Sequence, residues 1–200
     1  MQFSYQTIKK SVENILLKEK GSRFIGFLCP VYNEADCKNT LESIRIEHPK
    51  ATHHCYAFRM GLKGEHYRAN DDGEPSGSAG LPIYNQLLAH DLTQVLLVVV
   101  RYYGGTKLGV SGLVKAYKEC AKLALEQAEI ITKELESEMK ITFKFNQQNV
   151  IFSLLNKFYA KVLQFEADEN CLILAKIKTS DQEKISELLS EIQYVSFELS

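Results

Sequence analysis

The sequence has no apolar run that approaches the length of a membrane span, and its opening, MQFSYQTIKK, lacks the apolar core of a secretory signal. A soluble chain in the cytoplasm, with no membrane contact, is the expectation. An excess of one charge is also missing. There are 24 Lys and Arg against 25 Asp and Glu, so no bulk field draws the chain to nucleic acid and any such binding has to be local. The cysteines, Cys29, Cys37, Cys55, Cys120 and Cys171, are odd in number, far apart and without a Cys-x-x-Cys pair. That spacing argues against a disulfide framework and a zinc ribbon, and it fits a reducing compartment.

What the chain does have is enough apolar residues, 45% of its 200, for real cores, and a change of texture near residue 130. Before that point the runs FSYQTI, SVENILLK and SRFIGFLCPV read as an antiparallel meander of strands. Asn33 then caps a helix that ends before Pro49, HHCYAFRM is a strand, and the stretch from Gly61 to Gly80, without periodicity, is a long loop. LPIYNQLLAH is a short helix with Pro82 in its first turn. TQVLLVVVRYY, apolar on both faces, is a buried central strand. A second glycine-rich loop, GGTKLGVSG, leads into the helix LVKAYKECAKLALEQAEI. On that helix Leu113, Tyr117, Cys120, Ala121, Ala124 and Ala128 make one apolar stripe, while Lys115, Lys118 and Lys122 share another face.

After the charged run TKELESEMK the order becomes β-α-β-β-α-β, which fits a ferredoxin-like sandwich, with Ser180 or Asp181 capping its second helix. The expected domains are therefore residues 1–130 and 131–200. Their formal charges are +2 and -3, so the mild basic bias sits in the half that holds the glycine loops.

The segment DDGEPSGSAG, Asp71 to Gly80, concentrates the chemistry of that half. A metal site drawing on His53, His54, Cys55, Asp71 and Asp72 is disfavoured, because neighbouring strand residues point to opposite faces and too few ligands converge. A nucleophilic triad built on Ser76 or Ser78 lacks the Gly-x-Ser-x-Gly elbow. Anion binding has the better physical case. Small residues just before a helix leave N–H groups free beside the positive end of its dipole, and GGTKLGVSG repeats the device with Lys107 in it and Arg101 at the preceding strand end. The two loops could face one cleft. Neither matches Gly-x-x-x-x-Gly-Lys-Ser/Thr or Gly-x-Gly-x-x-Gly, and the same glycines would equally serve tight turns and close strand–helix packing. The acidic Asp71, Asp72 and Glu74 oppose a bare phosphate unless Arg59, Arg68 or Arg101 neutralises them, and internal Arg–carboxylate pairing is the expected use.

The runs SRFIGFLCPV, IRIEHPKATHHCYAFR, NDDGEPSGSAGLPI and VVVRYYGGTKLGVSGLVKAY resemble the IMPACT family, in its bacterial YigZ-like branch. The resemblance implies an α+β chain. Residues 1–130 would form an IMPACT N-terminal domain, a ribosomal-protein domain-2-like α/β sandwich shared with GHMP-type kinases. Residues 131–200 would form a ferredoxin-like domain similar to one of elongation factor G. PSGSAG resembles the kinase phosphate loop only loosely, so kinase activity is not implied. Eukaryotic relatives regulate translation through a pathway that bacteria lack, and the implication carried over is a translation-linked or nucleic-acid-binding role.

The leading expectation is a non-enzymatic protein that binds RNA or a ribosome-associated partner, with no cofactor, no metal and no catalytic residue. Arg101, Lys107, Lys115, Lys118 and Lys122 would make the phosphate contacts, and Tyr102 and Tyr103 are candidates for base stacking. The competing class is an enzyme acting on a small phosphorylated or acidic ligand held between the loops. Asp71, Asp72 and Glu74 would then act as acid/base groups or magnesium ligands and Ser76 and Ser78 as ligand contacts, within loops that also bring Gly77, Gly80, Gly104, Gly105, Thr106, Lys107 and Gly109. A third reading has the ferredoxin-like domain dock protein partners on its exposed sheet face.

Overall fold

A computed structural model of the chain describes residues 2–199 in two compact units: Tyr5–Lys133, and the segment from Glu134 onward with the residues ahead of Tyr5. The first unit runs β1 (Ser4–Ile8), β2 (Val12–Glu19), β3 (Ser22–Pro30), α1 (Glu34–Glu47), β4 (His53–Met60), β5 (His66–Asn70), α2 (Gly80–Ala89), β6 (Val95–Tyr102), α3 (Gly109–Glu126) and β7 (Ile130–Glu134). Five strands form one antiparallel sheet in the order β2-β3-β6-β4-β5. Its centre is β6, whose residues Val95 to Val100 are wholly buried because both sheet faces are covered. Val95, Leu97 and Val99 pack with α2 and α3, while Leu96, Val98 and Val100 pack with Cys37 and Ile44 of α1.

Two expectations are corrected here. The opening strands are not one meander: β2 and β3 form a hairpin through Lys20 and Gly21, both at positive φ, but β1 pairs with β7. Where β1 meets β7 the Lys9 amide bonds the Glu129 carbonyl at 2.9 Å and its ammonium meets the Glu129 carboxylate at 2.8 Å, contacts between residues far apart in sequence. The second correction is β5, which interrupts the stretch expected to be loop throughout. Its residues His66 to Ala69 are all exposed at the sheet edge, so no apolar alternation marks it.

Asn33 caps α1, its Oδ1 accepting the Asp36 amide at 2.8 Å. The long helix α3 begins at Gly109, ahead of Leu113, and buries Leu113, Tyr117, Cys120, Ala121 and Ala124 as one stripe. Ala128 lies beyond its end.

The second unit runs β8 (Glu136–Lys144), α4 (Gln148–Lys157), β9 (Lys161–Glu166), β10 (Asn170–Lys178), α5 (Gln182–Ser190) and β11 (Ser196–Leu199), with antiparallel strand order β11-β8-β10-β9. Alternate residues of β8 and β10, among them Ile141, Phe143, Cys171 and Ile173, pack with Ile151 and Leu155 of α4 and Ile185 and Leu189 of α5. No side chain caps α5. Asp181 occupies the cap position with helical backbone, φ -98° and ψ -6°, at the end of a 3₁₀ turn, where the extended geometry a capping carboxylate needs is absent. Among the described residues no helix is long and apolar enough to cross a membrane.

Candidate functional site

The loop between β5 and α2 is held by its own carboxylates. Asp71 Oδ1 accepts the amides of Ala79 at 3.0 Å and Gly80 at 2.8 Å, and its Oδ2 accepts that of Gly77 at 2.9 Å. The start of α2, one of the two places where an anion was expected, is thus occupied by an anion of the protein itself. Asp72 turns the other way: its Oδ2 accepts the His54 amide at 2.6 Å and its Oδ1 lies 3.4 Å from the Arg45 guanidinium. The Ser78 hydroxyl donates to the Pro75 carbonyl at 2.6 Å and is fully buried, whereas Ser76 is exposed. Gly80 packs against the backbone of Asn70.

Glu74 points inward, and its Oε1 is the centre of a buried polar chain. It accepts Arg101 Nη1 at 2.6 Å and the Tyr117 hydroxyl at 2.8 Å. Behind Tyr117, Cys55 Sγ stands 3.3 Å from the hydroxyl oxygen and 3.0 Å from the Asp71 carbonyl. Burial pushes the Tyr117 hydroxyl well above its ordinary range, with Cys55 and Glu74 adding to it. Burial likewise pushes the Cys55 thiol up, which favours the neutral thiol over the thiolate. His53 Nε2 lies 3.8 Å from Glu74 Oε1. Its other nitrogen, Nδ1, is 2.8 Å from the Asp72 carbonyl, an oxygen that only accepts, so Nδ1 carries a proton and Nε2 faces the glutamate. Of the three arginines considered as neutralisers, Arg101 meets a carboxylate of the loop. Arg59 instead donates to the carbonyls of Leu92 at 2.8 Å and Lys63 at 3.1 Å, and Arg68 is exposed on β5.

The second loop, Tyr103 to Leu108, is built differently. Gly104 lies against Gly21 at the tip of the β2–β3 hairpin, and Gly105, Thr106 and Lys107 are exposed. The start of α3 after it has no side-chain cap. Here the two loops meet: a cavity of about 390 Å³ is lined by Thr52, His53, Glu74, Arg101, Lys107 and Gly109, with apolar walls from Pro75, Tyr103, Leu108, Val110 and Leu113. Arg101 is 5% exposed; among the described residues its side chain donates through Nη1 to Glu74, and its buried Nε has no acceptor.

The lysines lie elsewhere. Lys115, Lys118 and Lys122 are exposed along α3; Lys118 borders a hollow with Gly77 and Asn85, and Lys122 pairs with Glu126 at 3.4 Å. Arg101 therefore belongs with the buried chain, and Lys107 lines the pocket from the exposed loop ahead of the lysine face. Tyr102 donates to or accepts from His48 Nδ1 at 3.0 Å and sits under Arg23, while Tyr103 is half exposed at the pocket. Sequence reasoning missed Tyr117 as a functional group by counting it in the apolar stripe. The signal was there, a lone hydroxyl among alanines and leucines that needs a buried partner. Among the described residues no group of three or more His, Cys, Asp and Glu is arranged to hold a metal ion.

Fold and site define a two-unit α+β protein whose first unit seals one helix start with its own carboxylate and leaves a second, without a side-chain cap, beside a largely apolar pocket. Residues 20–125 match the Impact N-terminal domain. The chain is 31% identical over 192 residues to the IMPACT family member YvyE of Bacillus subtilis, covering 96% of this chain and 88% of that protein. With the IMPACT family member YigZ of Escherichia coli it shares 34% over 182 residues, 90% of this chain and 89% of the relative. A crystal structure described as an hypothetical protein superposes with a TM-score of 0.73 at 31% identity, over all of this chain and 97% of its own. The chain belongs to the IMPACT family.

Proposed function

We propose that this IMPACT family protein is a cytoplasmic, translation-linked binding protein rather than an enzyme, and that it takes RNA or a ribosome-associated partner along α3. The observation that carries this reading is the exposed lysine face of that helix, Lys115, Lys118 and Lys122, with Lys107 in the loop ahead of it. At 1.5 Å per residue the first and last of the three stand about 10 Å apart along the axis, enough to meet more than one phosphate of a strand. Among the described residues Lys122 pairs with Glu126, an exposed pair worth about 1 kcal/mol or less that is readily exchanged for a phosphate.

The loop carboxylates support binding over catalysis. Asp71 and Asp72 are tied to backbone amides, and Glu74 is bonded to Arg101 and Tyr117. The strand and helix orders of the units support reading residues 1–130 as ribosomal-protein domain-2-like and 131–200 as ferredoxin-like.

The test is the affinity of the protein for a labelled single-stranded RNA across a salt series. Lys107 and Lys118 replaced together by alanine should weaken binding and flatten the dependence of log K on log salt by roughly 1.4, two contacts at about 0.7 each. An unchanged affinity rejects the assignment.

A further inference from the structure

The fold leaves two hydrogen-bond acceptors unused in the residues that line the pocket beside α3. Glu74, whose side chain is 3% exposed, takes Arg101 and Tyr117 on Oε1, and among the described residues its Oε2 accepts nothing. His53 is fixed in the tautomer that protonates Nδ1, because Nδ1 meets the Asp72 carbonyl at 2.8 Å. Its Nε2 is then an acceptor in the neutral ring, and it lies 3.8 Å from Glu74 Oε1, too far for a hydrogen bond. Neither Oε2 nor Nε2 is sealed from solvent, whereas the unpartnered Nε2 atoms of His48 and His54 are. Glu74 and His53 line one cavity of about 390 Å³, within the range of about 300–1,000 Å³ usual for small-molecule sites. Acceptors in so enclosed a place are ordinarily met, so the cavity calls for a ligand that brings donors.

We infer that this cavity takes a guanine base, its N1–H and amino group toward Glu74 and His53 and its ring against the apolar walls. Charge sets the donors as neutral ones. Arg101 and Glu74 offset each other at 2.6 Å, while Lys107 and the positive end of α3 border the same space, so an ammonium or guanidinium would be repelled. Among the four RNA bases only guanine carries two neighbouring donor groups on its Watson–Crick edge. Adenine and cytosine set one amino group beside an acceptor, and uracil sets one N–H between two. The guanine O6 asks for a donor in return. Thr52 Oγ1 accepts the Tyr103 amide at 3.3 Å, which leaves its hydroxyl hydrogen for an acceptor, and Lys107 lines the same cavity. A flat ring also suits the walls. Pro75, Leu108, Val110 and Leu113 give apolar contact, and the half-exposed Tyr103 offers its ring for stacking. The base belongs either to an RNA strand, which rests on the function proposed above, or to a free guanine nucleotide.

The experiment is a titration of the ¹⁵N-labelled full chain with the 5′-monophosphates of guanosine, inosine, adenosine and uridine, followed by amide shifts. All four carry the same phosphate, and inosine is guanosine without the amino group. The guanosine nucleotide should give saturable shifts at the amides of His53, Glu74, Tyr103 and Val110. The other three should bind at least about tenfold more weakly, because a site built to meet a donor rejects a ligand that lacks it. His53→Phe keeps a ring and removes Nε2, and should bring the ratio of guanosine to inosine affinity down toward one. Tyr103→Ala, at a half-exposed position, should weaken the guanosine nucleotide about tenfold and serves if His53→Phe does not fold. Equal affinities for guanosine and inosine, shifts that fail to saturate, or variants that bind like the parent overturn the inference. Its source is read with two single-stranded uridine oligomers that carry one guanosine or one inosine. A preference of about tenfold for the guanosine oligomer, with shifts at the same amides, assigns the base to RNA. Equal binding of the two oligomers, or none, beside a saturable guanosine nucleotide assigns it to a free nucleotide. RNA that shifts only Lys115, Lys118 and Lys122, while the guanosine nucleotide shifts nothing, overturns this inference and leaves the lysine-face reading standing.

Discussion

Asp71 Oδ1 accepts the amide of Gly80 at 2.8 Å, and through that bond the first residue of the loop closes the helix after it. The same carboxylate takes Ala79 and Gly77, so removing it leaves three amides without their acceptor. Charge-assisted bonds of this kind contribute more than neutral ones, and Asp71→Ala is expected to lower unfolding stability by about 2–3 kcal/mol. Asp71→Asn, which keeps one acceptor, should lose about half as much. Urea denaturation checks both; a loss below about 0.5 kcal/mol for the alanine variant would show that the carboxylate does not hold the loop.

Arg101 and Glu74 form a buried ion pair whose two side chains are 6% and 3% exposed. Removing one partner strands a charge away from water, and Arg101→Met is expected to cost about 3–5 kcal/mol. Removing both charges, Arg101→Met with Glu74→Gln, should cost clearly less than the two single losses added together. In that double variant Tyr117 can still donate to the amide oxygen of the introduced glutamine. A double-mutant cycle by chemical denaturation measures the coupling; additive losses would mean the pair is not formed in solution.

How much of this was legible beforehand depended on whether a residue's partner lay nearby in sequence. The buried strand through Val98, the Asn33 cap and the alternation of the second unit were readable because local patterns encode them. The edge strand β5 was not, since an exposed strand needs no apolar alternation and the sheet edge alone defines it. Asp71 looked like a liability for anion binding because its amide partners lie 6 to 9 residues further on, across a loop whose path the sequence does not fix. Tyr117 was invisible as a polar group for the same reason: Glu74 lies 43 residues away. Cys55, offered as a metal ligand by its neighbours His53 and His54, faces Tyr117 instead.

His54 gives the fold a dependence on acid. Burial lowers its pKa below the ordinary imidazole value, Asp72 opposes the shift, and the charges of Arg45 and His48 add to it. Between the lowered native value and the unfolded value of about 6.5 the unfolded chain binds more protons, so stability rises with pH across that window. The stability present above about pH 6.5 is therefore expected to be lost as pH falls through the native value. Denaturation midpoints at several pH values from about 7.5 downward check this. His54→Phe should flatten the acid side of the curve relative to the parent; an equally steep curve in the variant would assign the acid sensitivity to other groups.

Two neighbouring glycines should respond very differently to the same substitution. At Gly104 a Cβ would stand inside the backbone of Gly21 and Ser22, and neither chain can yield, because Gly21 sits at the hairpin tip with φ +82° and Gly104 donates its amide to Ser22 Oγ at 3.2 Å. Gly105 has φ +85° with nothing within 4 Å of the added atom, so its alanine variant bears only left-handed strain. Gly105→Ala is expected to cost about 1 kcal/mol, as for an L-residue forced to positive φ. Gly104→Ala should cost more than about 3 kcal/mol, or part the loop from the hairpin and disorder the pocket rim at Lys107. Thermal unfolding with amide spectra of both variants decides it. Equal, small losses would mean that the loop after β6 does not rest on the hairpin, and the pocket walls built on that contact would have to be redrawn.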